Sequence, residues 1–279
     1  MKNFIRHLFI SFVISLLYIN SASAQHTYGT TGLLHAPSAD MQKDGTFMFG
    51  GSAIDIATLA GYWSNHTKEY KPFTYNYYIN ITFFPWLEIG YTCTLVKGNY
   101  ESNYWPEQTW GKFVNQDRSF HGRLRLWKEG WWKEWTPQIV LGLNDPGSHA
   151  ENGGGGITIG GGEAKNHNYH TRYYLVATKH FNFKGIGNLG IHTAYVIGKA
   201  MTDEHYKCPA FGVNFQFATK GEEFWQKTLN GLNLIAEYDA RTINVGGSYS
   251  IWKDHINLIA ELNNGKYFCG GIFFKVDLK

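Results

Sequence analysis

The sequence predicts an all-β protein, an antiparallel transmembrane β-barrel of about 12 strands, within a range of about 10 to 14, preceded by a non-alternating N-terminal segment. Three observations carry this prediction. FTYNYYINITFF, residues 73–84, alternates with period two: Phe73, Tyr75, Tyr77, Ile79, Ile81 and Phe83 are apolar or aromatic, and most intervening positions are polar. That is a strand with one oily face. The 279 residues include 18 Tyr, 19 Phe, 10 Trp and 32 Gly against 7 Pro, with 17% charged, a composition that favours strands over helices. After the N-terminus no run reaches the roughly 18 uninterrupted apolar residues of a spanning helix.

The chain opens MKNFIRHLFISFVISLLYINSASAQ. Lys2 and Arg6 precede an apolar run from Leu8 to Ile19, and Ala22-Ser23-Ala24 follows. This is the pattern of a secretory leader over residues 1–24, cleaved near Ala24 to leave Gln25 at the mature N-terminus. No cysteine stands there, so no lipid anchor is expected. Loss of Lys2 and Arg6 takes the formal charge from +3 to +1, which gives no basis for nucleic-acid binding. Cys93, Cys208 and Cys269 are scattered and unpaired by spacing, so neither a disulfide framework nor a zinc site is expected.

Residues 25–45 do not alternate and are expected to tuck into or under the barrel, leaving 46–279 as the barrel itself. Strands are expected at 46–54, 73–84, 87–96, 118–127, 138–144, 173–181, 189–198, 210–218, 232–239, 242–251, 256–263 and 268–278. Connections after the first, third and fifth are long, and those after the second, fourth and sixth are shorter. Outer-membrane barrels have this habit, with long loops outside and short turns in the periplasm. The stretch GEEFWQKTLNG, 221–231, has room for a short helix among the periplasmic connections. Trp86, Trp127, Trp131, Trp132, Trp135, Trp225 and Trp252 fall in or beside those connections, as an interfacial aromatic girdle would.

In a barrel the polar face looks inward. That places Glu88, Arg123, Arg125, His192, Glu237 and Glu261 in the lumen, with Asn214, Gln216, Asn244, Ser248, Lys275 and Asp277. If sequence neighbours pair, Glu88 stands beside Arg123 and Arg125 in an ion-pair network. Such a network either packs a narrow interior or forms a solute-selective constriction.

The stretch YGTTGLLHAPSADMQKDGTFMFGGSA (28–53) resembles the N-terminal signature of the YjbH family, outer-membrane proteins linked to exopolysaccharide and capsule production. FFPWLEIGYT (83–92), DRSFHGRLRLWKEG with TPQIVLGLNDPGSH (117–149), and RYYLVATKHF (172–181) agree in order. The matching motif positions are Gly32, Pro37, Asp44, Gly45, Pro85, Trp86, Glu88, Asp117, Ser119 and Asp145. The resemblance implies a signal-bearing barrel in the outer membrane of a Gram-negative bacterium and an accessory role in polysaccharide secretion. It supplies no catalytic residues.

Other motifs carry less. GIGNLG, 185–190, fits a dinucleotide fingerprint but runs into a strand rather than the required helix. GGGGITIGGGE, 153–163, lacks the Lys-Ser/Thr of a phosphate loop and is expected to be an external loop. His167 and His170 in NHNYH, with His149 or Glu151, have no fixed ligand geometry, so no metal is expected. Ser148-His149 has no orienting partner, so no enzyme activity and no cofactor are expected. The expected partners are outer-membrane lipid and polysaccharide or other envelope secretion components. Two alternatives stay open: a small porin-like or structural barrel without a polysaccharide link, and a soluble secreted β-sandwich that binds glycans through its aromatic loops.

Overall fold

The computed structural model describes residues 23–24, 27–55, 73–98, 106–146, 171–199, 205–221 and 223–279. The leader expected over 1–24 falls almost wholly outside these residues, as do the glycine-rich stretch 153–163 and NHNYH. Two short strands, β1 (Ser23–Ala24) and β2 (Thr31–Gly32), pair as a ribbon. Twelve strands then form one closed antiparallel barrel.

These are β3 (Thr46–Asp55), β4 (Phe73–Phe84), β5 (Leu87–Lys97), β6 (Phe113–Trp127), β7 (Gln138–Asn144), β8 (Arg172–Phe183), β9 (Gly187–Lys199), β10 (His205–Phe217), β11 (Leu232–Tyr238), β12 (Ile243–Ile251), β13 (Ile256–Asn263) and β14 (Tyr267–Asp277). Each of the 12 expected strands is present. Every barrel strand pairs with its sequence neighbour, and β14 closes on β3 from Gly270↔Ala53 to Asp277↔Thr46. Closure leaves no unpaired sheet edge. The helix expected within 221–231 is α1 (Phe224–Asn230), which joins β10 to β11.

The alternation of β4 resolves as expected for a barrel. Ile79 is 49% exposed and Tyr77 48%, while Asn80 and Tyr78 are 2% exposed. The same holds around the wall. Phe49, Ile89, Phe120, Leu141, Leu175, Ile197, Phe211, Leu234, Val245, Leu258 and Ile272, one from each remaining strand, are large, apolar and exposed. The protein is apolar outside and polar inside, the reverse of a water-soluble domain.

Candidate functional site: the filled lumen

The interior is occupied by the chain's own N-terminal segment. Thr27–Ser38 are all buried, together with Ala39, Met41 and Gln42. Leu33, Leu34 and Ala36 pack with Met48, Tyr78, Ile235, Ile259 and Phe273 from the wall. Ala39 and Met41 pack with Val140, Tyr174, Val176 and Val196. The segment thus contributes apolar residues to two cores that the strands alone would leave hollow.

Inward polar side chains hold its backbone. Glu88 accepts a hydrogen bond from Thr31 N at 2.8 Å and one from Asn80 Nδ2 at 2.6 Å. Its other oxygen pairs with Arg123 at 2.7 Å, both side chains fully buried. Arg123 also donates to the carbonyls of Ser38 (2.5 Å) and Asp40 (2.8 Å). Across the barrel, Glu237 accepts from Leu34 N at 2.9 Å and His35 N at 2.7 Å. Arg172 donates to the His35 carbonyl at 2.8 Å and lies 3.5 Å over the Tyr28 ring. A segment without regular structure needs such partners, because a buried unpaired amide or carbonyl is costly.

His35 is the centre of the Glu237–Glu261 side. Its Nε2 meets Glu261 Oε1 at 2.6 Å and its Nδ1 meets Thr27 Oγ1 at 3.0 Å. Burial by itself would push this imidazole down, yet the Glu261 carboxylate outweighs it and raises the pKa to about 9. Nearer the short-turn end, Asp40 accepts from Gln138 Nε2 at 2.6 Å and approaches His180 at 3.3 Å. His180 also meets Glu129 at 2.7 Å, and Lys179 reaches Glu129 at 2.8 Å. Burial would raise the Glu129 carboxyl, but its bonds from His180 and Lys179 lower it to about 2.

The expected lumenal residues divide as follows. Glu88, Arg123, His192, Glu237 and Glu261 are buried in the lumen. His192 bonds to Thr178 at 2.8 Å and Asn214 at 2.9 Å rather than to the segment. Arg125 is half-buried on the same face as Arg123, but it does not reach Glu88, and its buried Nε has no hydrogen-bond partner among the described residues. Asp277 departs from expectation: it is exposed at the rim, 3.7 Å from Lys43, because β14 has by then emerged from the filled part of the barrel.

Of the family-motif positions, Gly32 and Pro37 lie buried in the segment. Asp44 and Gly45 form the turn into β3. Gly45 has φ +79°, donates to Thr82 O at 2.8 Å and accepts from Leu278 N at 2.9 Å; Asp44 pairs with Lys279 at 2.9 Å. Asp117 and Ser119 are buried on β6. Pro85 and Trp86 make the exposed β4–β5 turn, apart from the lumen. Asp145, φ 48°, donates from its backbone N to Phe120 O at 2.8 Å just beyond β7. Sequence reasoning missed His35, Asp40, Arg172 and His180. Extending the inward phase of β8 from Tyr174, Val176 and Thr178 by one inward position at each end would have found Arg172 and His180.

No group of three or more His, Cys, Asp or Glu placed to hold a metal occurs among the described residues. Among the described residues, Glu88, Arg123, Arg172, Glu237, Glu261 and His35 are bonded to backbone of the segment or to one another, while His192 bonds to Thr178 and Asn214. Their chemistry is anchorage.

The family model for YjbH, described as "Exopolysaccharide biosynthesis protein YbjH", matches residues 24–269. A relative from Escherichia coli (strain K12) carrying the name "Uncharacterized lipoprotein YjbH" is 29% identical over 124 residues. That match covers 44% of this chain and 15% of the relative's length.

Proposed function

The chain belongs to the YjbH family, and from that premise we propose that it is an internally plugged outer-membrane β-barrel with an accessory, non-enzymatic role in exopolysaccharide or capsule production or secretion. The observation that carries the membrane part is the apolar exterior on all 12 strands of a closed barrel. An exposed apolar surface of that extent calls for a non-aqueous neighbour. The exposed tryptophans at the short-turn rim, Trp131, Trp132 and Trp135 among them, suit an interfacial girdle. The secretory leader over 1–24 and delivery to the envelope complete the reading. The polysaccharide part rests on the family's description. Filling by residues 27–42 speaks against an open diffusion pore, since about a dozen strands already leave a narrow bore.

The test is fractionation of the host envelope, a gel of boiled and unboiled outer-membrane fraction, and a surface-polysaccharide assay on a deletion strain. Outer-membrane residence with a mobility shift on boiling, and altered polysaccharide in the deletion, are the expected results. Recovery in the soluble fraction would overturn the membrane reading; the secreted β-sandwich alternative is already excluded by the closed barrel. Outer-membrane residence with unchanged polysaccharide would leave a structural barrel.

A further inference from the structure

At the short-turn rim, between α1 and the turn joining β12 to β13, lies a cleft of about 520 Å³. That volume is within the range of small-ligand sites. It is separate from the contacts that anchor the N-terminal segment. Three aromatic rings, Phe224, Tyr249 and Trp252, share its lining with Thr228, Asn230, Ser250 and Asp254.

Several of its polar groups are fixed in place by the protein. Asp254 accepts from Lys275 Nζ at 2.8 Å and from Ser250 Oγ at 3.1 Å. Asn230 accepts from Thr219 N at 2.7 Å through its side chain, and from Gln216 Nε2 at 2.8 Å through its carbonyl. The turn itself is unusual: Trp252, Lys253 and Asp254 have φ of 50°, 54° and 71°, three successive left-handed residues without a glycine. Such strain persists only where the surroundings hold it, and it gathers at ligand sites. Here it presents the Trp252 ring to solvent, 71% exposed, at the edge of the cleft.

We propose that this cleft binds a neutral sugar segment of a polysaccharide chain, an inference that rests on the polysaccharide role proposed above and gives that role a contact surface. A pyranose ring has an apolar C–H face and a rim of hydroxyls. The C–H face stacks on an aromatic ring that is itself half wet. The hydroxyls pair with what the internal bonds leave over: the second N–H of Asn230 Nδ2, the lone pairs of Ser250 Oγ and those of the Asp254 carboxylate. Lys253 also lines the cleft, but the adjacent Asp254 carboxylate offsets its charge and already engages Lys275, so the site offers a phosphate or other anion no net positive field.

The experiment uses purified full-length protein in detergent, shown to be folded by its mobility shift on boiling. It is applied to an array of neutral hexose and N-acetylhexosamine oligomers. The wild type is expected to retain at least one oligomer class, with Trp252→Ala and Phe224→Ala each weakening retention about tenfold and Trp132→Ala, on the β6–β7 turn, leaving it unchanged. Folded wild type that retains no oligomer overturns the proposal. So does equal retention by Trp252→Ala, and so does equal weakening by Trp132→Ala, which would assign binding to the aromatic rim in general. Cleft-dependent binding with unaltered surface polysaccharide in a deletion strain would strike the secretion role alone; altered polysaccharide without oligomer binding would strike the cleft alone.

Discussion

The two faces of the same wall obey different rules. On the outer face of β4, Tyr75, Tyr77 and Ile79 stand about half exposed, with apolar neighbours on every adjoining strand. One residue away, Asn76, Tyr78 and Asn80 are almost fully buried; Asn76 and Asn80 are hydrogen-bonded, one to the N-terminal segment at Thr27 and the other to Glu88. The outer face tolerates any apolar shape and resists charge. The inner face tolerates charge only where a partner is built for it. A barrel with an open bore would have a permissive interior, whereas this one has a core of partnered polar groups around two apolar clusters.

The largest effect that would break the contrast comes from the interior. Arg123→Ala leaves Glu88 buried without its cation and frees two carbonyls of the segment, and it should cost about 3 to 5 kcal/mol. The readout is the urea midpoint of the folded band on unboiled gels. The double variant Glu88→Leu with Arg123→Met should recover only the share due to the unpaired charge, because Thr31 N, Asn80 Nδ2 and the carbonyls of Ser38 and Asp40 all lose a partner. On the outside, Ile79→Arg should cost about 2 to 4 kcal/mol in a bilayer and much less in detergent micelles; equal cost in both would remove lipid from the explanation.

A smaller effect follows from His35. Its folded pKa is raised to about 9 by Glu261 despite burial, against about 6.5 in an unfolded chain. The contribution is complete below about pH 6.5 and fades as pH rises through about 9, at most about 3 kcal/mol. Unfolding midpoints of wild type and His35→Gln should therefore converge at high pH, and parallel curves would contradict the pairing. Gly45→Ala should cost about 1 kcal/mol, through its positive φ, with the Lys279 side chain free to move from the 2.9 Å approach. Gly29 is the sharper case: an added Cβ would sit 2.3 Å from the Tyr78 ring, so Gly29→Ala should unseat the segment rather than merely strain it.

The wall was legible in the sequence because period-two alternation is local and repeats on strand after strand. Glu88 and Arg123 were legible as a pair because a meander places sequence neighbours side by side. His35 was not, since its partners Glu237 and Glu261 lie more than 200 residues away and the segment carrying it has no period. Asn80→Arg would look mild in an open bore, yet Asn80 touches Glu88 and is packed at 2% exposure, so overpacking now sets its cost. The β11–β12 pairing brings residues 224–231 beside 249–254, but the cleft between them was invisible because it depends on the helix α1 and on the left-handed turn at 252–254, which no period announces.

The most direct measurement is a cysteine scan of β4 in reconstituted bilayers, with native Cys93, Cys208 and Cys269 replaced by alanine. Single cysteines at residues 74 to 82 are exposed in turn to a lipophilic and to a membrane-impermeant maleimide. The odd positions are expected to react only with the lipophilic reagent and the even positions with neither. Odd positions that react with the water-soluble reagent would mean that the outer face meets water; even positions that react with it would mean an open, unplugged bore.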